Sequence, residues 1–265
     1  MAGKVGSEGV YANGVEEIVA EMRATFLEEA ADQLRSLEML LSEVRQGRKQ
    51  VDELVREVRR IAITFKSQGG TLDVKAVIAL AHRMEDYFAE TKYMPPRALD
   101  DVQRFIEIAL DLMEGGKAKE ADPASLVRKL PAKIGFDIGD IQVRNVEIML
   151  VMLHGTATHY VERELQQCGY RTVLATNTLE ALSMILHTKP DMVLISAVMP
   201  ELSGIDLAIG LANMPSTRNI PTALITSLPP EDEYLKLVPK KVPVIRKGPS
   251  FGDDLAQALD QLFLI

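Results

Sequence analysis

Side chains able to do redox, metal or acid–base chemistry are scarce: the chain has four histidines, His82, His154, His159 and His187, and one cysteine, Cys168. A single thiol excludes an internal disulfide and any cysteine-rich zinc site. The histidines show no metal-ligand spacing, and His82 falls within a helical stretch, where an imidazole is more often a surface or packing residue than a nucleophile. The carboxylate pair Glu28-Glu29 lies on a helix exterior and reads as a solvated face rather than an acid/base pair. No Gly-rich phosphate loop is present. Met149, Met152, Met184 and Met192 read as core filling. One constellation remains. At about 100° per residue, Leu54, Val58, Ile61 and Phe65 share a stripe that must be buried, which turns Ile63 to the opposite, solvent side. Arg56, Arg59, Arg60 and Lys66 surround it. An apolar residue inside a basic rim is the pattern of an interaction patch.

The elements that position these residues come from an ordinary globular composition. The chain has 265 residues, 47% hydrophobic and 26% charged, enough apolar surface to form cores in one or two domains. A formal charge of −8 argues against a phosphate-binding nucleic-acid surface. The first twenty residues are Gly-rich and then acidic, unlike a secretory signal, and no apolar run approaches the ~18 residues of a membrane span. A cytoplasmic protein without a membrane partner, cofactor or metal is the expectation.

Residues 1–117 read as helices only. Apolar residues recur at helical spacing from Ala20 to Val44, then over Val51–Phe65, with a Gly69-Gly70 break. Asp73 is expected to cap a third helix reaching Phe88, and Pro95-Pro96 precede a fourth, Ala98–Met113, ended by Gly115-Gly116. Short connections make this an antiparallel four-helix bundle. The polar, Pro-bearing residues 118–140 read as a linker. Over 141–265 the rhythm changes to short apolar strands, Val146–Leu153, Arg171–Ala175, Met192–Ser196, Thr222–Ser227 and Val242–Arg246. Helical stretches alternate with them, including Glu231–Val238. Strands too apolar to have a wet face imply a doubly wound, five-stranded parallel α/β sheet with any site at the strands' carboxyl ends. The fold class is therefore α+β multidomain.

Pro190–Ser196 followed by Met199–Gly204, with Gly169-Tyr170, Asn177–Leu182 and Ile220-Pro221 in order, resembles a response-regulator receiver, a CheY-like flavodoxin-type domain. The resemblance places the family's phosphoryl-accepting aspartate at Ser196 and its Mg²⁺-holding acidic pair at Leu153 and His154. Serine forms no acyl phosphate, and a leucine side chain ligates no hard cation. Thr226 and Lys247, both phosphate contacts in active relatives, are kept, while Gly248 replaces the usual proline. Fold inheritance explains them; the alternative is a recycled anion pocket of Lys247, Thr226, Ser196 and His154, since acidic residues no longer oppose the lysine.

The bundle resembles a histidine-containing phosphotransfer (Hpt) domain, through Phe26–Ala30, Arg60–Leu72 and Leu80–Asp86. In that resemblance Ile63 stands where the phosphorylated histidine should be, Arg60 and Lys66 are retained, and Ser67 replaces a glycine. Without the imidazole there is no phosphoramidate chemistry to run. The resemblances together imply a bacterial two-component phosphorelay protein with both phosphoacceptor positions, Ile63 and Ser196, degenerate. The expected function is a non-catalytic adaptor, not an enzyme, that binds histidine kinase, phosphotransfer or response-regulator proteins; a homodimer through the Ile63 patch is a further expectation. The alternatives are a sensor of a small anion or nucleotide and an unorthodox phosphotransfer protein using His82 or Ser196.

Overall fold

A computed structural model describes residues 7–89, 97–116, 118–133, 145–248 and 250–263. The chain divides into two compact units, Met1–Pro131 and Ala132–Ile265.

The first unit contains α1 (Ser7–Arg45), α2 (Val51–Thr71), α3 (Lys75–Phe88), α4 (Ala98–Glu114) and α5 (Pro123–Lys129). Ion pairs from Arg45 to Asp100 and from Arg35 to Glu114 run α1 antiparallel to α4. Contacts from Arg59 to Phe88 and from Lys66 to Glu85 do the same for α2 and α3. Leu34, Leu41, Leu54, Ile61, Phe65 and Phe105 are among the fully buried side chains of one core. Gly69 lets α2 and α3 close together, because a Cβ there would stand 3.3 Å from Ile78 Cγ1.

Two expectations for this half are corrected. The stretch 118–131, expected as linker, belongs to the bundle: Ala118, Leu126, Val127 and Leu130 are buried in its core and α5 packs on α3. The Asp122 side chain starts α5 by accepting from Ser125 N at 3.0 Å, and Pro123 occupies its first turn, where no amide donor is needed. Residues 134–140 of the expected linker, and Pro95-Pro96, lie outside the described residues. Asp73 is not the cap of α3. It sits at φ 52°, in the left-handed turn between α2 and α3, and Val74 precedes the helix with no side-chain cap.

The second unit contains β1 (Glu147–Val151), α6 (Thr156–Gln167), β2 (Arg171–Ala175), α7 (Thr178–Thr188), β3 (Met192–Ser196), α8 (Gly204–Asn213), β4 (Thr222–Thr226), β5 (Val244–Arg246) and α9 (Phe251–Phe263). All strand pairings are parallel, in the order β2-β1-β3-β4-β5, as expected of a flavodoxin-like receiver sheet. Alternate strand residues feed two cores: Met149, Val193 and Leu224 pack toward α7 and α8, while Ile148, Leu194 and Ile225 pack toward α6 and α9. The helix expected at Glu231–Val238 is absent. Pro229-Pro230 and Pro239 bracket that segment, and only a 3₁₀ turn, Leu235–Leu237, forms between them.

Candidate functional site

On the bundle, the amphipathic face of α2 sets the geometry. Leu54, Val58, Ile61 and Phe65 are buried, and Ile63, on the opposite face, is 61% exposed. Three of the four surrounding cations, Arg59, Arg60 and Lys66, are engaged. Arg60 holds Glu57 bidentately, at 2.6 and 3.0 Å, within α2. Its guanidinium keeps the Glu57 carboxyl below the ordinary carboxylate range, chiefly through those hydrogen bonds and against the opposing effect of partial burial. Lys66 pairs with Glu85 of α3 at 2.8 Å, and the His82 imidazole, largely buried, lies 3.9 Å from the same carboxylate. Arg59 donates through Nε to Phe88 O at 3.0 Å and through Nη2 to Ala89 O at 3.1 Å, satisfying carbonyls at the α3 terminus. Arg56 is exposed. The five residues of the expected patch therefore share one surface of α2, but two of its four rim cations are in charge pairs and a third is held by backbone carbonyls. Glu57 and Glu85 were missed. Glu57 was legible as an i−3 partner of Arg60, whereas Glu85 comes from another helix.

On the sheet, the expected site residues gather at the carboxyl ends of adjacent strands. Leu153 and His154 follow β1, Ser196 ends β3, Thr226 ends β4 and Lys247 follows β5. The register, Val151 beside Ile195, Ser196 beside Ile225 and Thr226 beside Arg246, fixes this proximity. Their polar atoms, however, serve the fold. Ser196 is nearly buried, and its Oγ donates to Val198 O at 3.2 Å. Thr226 is fully buried, and its Oγ1 accepts from Leu228 N at 2.9 Å. The carbonyl of half-exposed Leu153 takes the Thr158 hydroxyl at 2.5 Å, fastening the start of α6. The Ser196 carbonyl is pressed against Gly204, where a Cβ would come within 1.8 Å of it. Lys247 is exposed, and its backbone amide donates to Thr226 O at 2.8 Å.

The Mg²⁺ that receivers hold does not fit these residues. Leu153 offers no oxygen, the Ser196 hydroxyl is neutral and committed, and a hard cation prefers carboxylates to imidazole. Among the described residues no group of three or more His, Cys, Asp or Glu side chains could hold a metal ion. No described helix is long and apolar enough to cross a membrane. Of the expected anion pocket of Lys247, Thr226, Ser196 and His154, the Ser196 hydroxyl donates to Val198 O and the Thr226 oxygen accepts from Leu228 N.

Known proteins resemble both units. Residues 21–114 match the Hpt domain family. The chain is 34% identical over 89 residues to APRR7, a two-component response regulator-like protein of Arabidopsis thaliana. It is 35% identical over 72 residues to PhoB, the phosphate regulon transcriptional regulatory protein of Pseudomonas aeruginosa. These alignments take in 33% and 27% of the chain and only 12% and 31% of the two relatives. Among solved structures, the receiver domain of a signal transduction histidine kinase from Syntrophus aciditrophicus is 27% identical. It covers 45% of this chain and 90% of its own, with a TM-score of 0.41. The chain thus joins a bundle matching the Hpt family to a unit with the fold of response-regulator receivers, the domain types of two-component signalling.

Proposed function

We propose that this protein is a non-catalytic adaptor of two-component signalling that docks kinase or response-regulator partners without accepting a phosphoryl group. The observation that carries this reading is Ile63: an exposed hydrocarbon side chain occupies the centre of the α2 face where the Hpt resemblance puts the reacting imidazole. An apolar centre inside a rim of paired charges has the make-up of a docking surface, because its burial releases water while the rim supplies orientation. The second acceptor position supports the same reading, since Ser196 has neither a carboxylate nor neighbouring carboxylates to hold a metal. Binding would bring signalling proteins together or compete with their phosphotransfer, in the cytoplasm where such partners reside.

The test is parallel capture from native cell extract with wild-type protein and Ile63→Asp. Recovery of histidine kinases or response regulators by the wild type, lost in the variant, is the expected result. Equal recovery by both would remove the α2 face from the function, and recovery of no signalling protein by the wild type would end the adaptor reading.

A further inference from the structure

A second surface of the bundle, away from Ile63, is built to receive something. Arg23 of α1 donates through Nε and Nη2 to Leu72 O, at 3.2 and 3.0 Å, and closes the end of α2. The stretch of α1 before Arg23, from Ser7 to Met22, is roughly 24 Å long, and Ile18, Glu21 and Met22 in it face Gln68, Thr71 and Leu72 at the end of α2 across a groove. An isolated helical stretch of this length is marginal in water, and its stability comes from packing an apolar face. Such a face exists. Val15, Ile18 and Met22, spaced i, i+3, i+7, are 60, 58 and 53% exposed, and they lead into buried Phe26. That spacing is the seam of a helix pair, and the end of α2 leaves these three side chains more than half exposed.

The stripe opens into a groove of about 430 Å³ between α1 and the end of α2, walled by Ile18, Met22, Phe26 and Leu72. Its polar rim is one-signed: Glu21 and Glu29 line it and no lysine or arginine does. Glu16 and Glu17 are also exposed but point to other sides of α1, so Glu21 and Glu29 set the charge of the groove. The nearest cation on α1, Arg23, is spent on the Leu72 carbonyl. Neither Glu21 nor Glu29 has an ion-pair partner among the described residues.

We infer that this groove docks a basic amphipathic helix of a partner protein. Apolar anchors at i, i+3 or i+4 and i+7 would meet Val15, Ile18 and Met22, and lysines or arginines flanking them would meet Glu21 and Glu29. Charge selects this occupant over two others. A second copy of α1 would set Glu21 and Glu29 against the same carboxylates, and an anionic lipid surface would be repelled. The groove lies five to nine residues beyond Ile63 along α2, about 8–14 Å, so the inference does not depend on the Ile63 face.

The experiment uses the full chain and three fluorescent peptides of about 18 residues, long enough to cover the stripe. One carries leucines at helical spacing flanked by lysines, one has glutamates in place of the lysines, and one is the lysine peptide with its order scrambled. Fluorescence anisotropy should show binding of the first peptide alone. Ile18→Asp and Glu29→Lys should each weaken that binding by about tenfold or more, and added salt should weaken it further. Ile63→Asp should leave it unchanged, which separates this site from the proposed adaptor face. Ile18 is exposed, so the variant should melt like the wild type. Absence of binding, equal binding of the scrambled or glutamate peptide, or indifference to Ile18→Asp would overturn the inference. So would a wild-type dimer in sedimentation that Ile18→Asp dissolves, since the occupant would then be a second copy.

Discussion

On the proposed reading, the two units carry their substituted acceptor positions in opposite ways. On the bundle, the substituted position points outward: Ile63 is exposed, and the charges around it pair with one another rather than with anything at the centre. On the sheet, the substituted position has been absorbed. Ser196 is nearly buried, its hydroxyl bonds to Val198 O, and Gly204 closes over its carbonyl. A helix face can change its central side chain without affecting the core, because that side chain touches little. The end of a central parallel strand cannot, because each polar group there must find a partner once the ligand chemistry is gone. The bundle position is therefore available for binding, and the strand end is a structural joint.

The largest expected effect tests the joint. Gly204→Ala should destabilise the sheet unit by about 4 kcal/mol, since the new methyl would overlap a backbone carbonyl that cannot move without distorting β3. Calorimetry should show one transition falling and the bundle's transition unchanged. Next is Leu130→Ala. As a buried residue of the bundle core it should cost about 3 kcal/mol, measured by urea unfolding, whereas a solvated linker position would cost almost nothing. Ile63→Asp should do the reverse of both: unfolding midpoints stay within about 0.5 kcal/mol of wild type while capture of signalling partners drops by about tenfold or more.

What the sequence disclosed follows from where each signal resides. The Leu54–Phe65 stripe was legible because helix periodicity is local, and the five strands because a buried parallel strand is a continuous apolar run. The α5 helix was hidden by a polar composition, although Asp122-Pro123 is a start signal and Leu126, Val127 and Leu130 are apolar. The segment Glu231–Val238 misled in the other direction: its apolar residues suggest a helix, but only the 3₁₀ turn Leu235–Leu237 forms, and Val238 is extended ahead of Pro239. At the candidate sites, positions were readable but partners were not. That Lys66 meets Glu85, and that the Ser196 and Thr226 hydroxyls turn to backbone, depends on contacts between elements distant in the chain or on loop geometry.

Two smaller effects sharpen the picture of the bundle face. Glu85→Gln removes the partner of Lys66 from a partly exposed pair and should cost about 0.5 kcal/mol in stability, read by urea titration. Acid should loosen the Arg60–Glu57 pair. The Glu57 carboxyl is held below its unfolded value, so its contribution is complete above the ordinary carboxylate range and is lost as pH falls through the lowered folded value. A carboxyl NMR titration should place Glu57 below an unpaired glutamate of the same chain, and Arg60→Met should raise it toward the ordinary range.

The most direct test of docking without phosphotransfer is intact-protein mass spectrometry at neutral pH after incubation in native extract supplied with ATP. The account predicts that captured wild-type protein carries a kinase or response regulator while its own mass stays unchanged. A gain of one phosphoryl group on this chain, dependent on that partner, would contradict it.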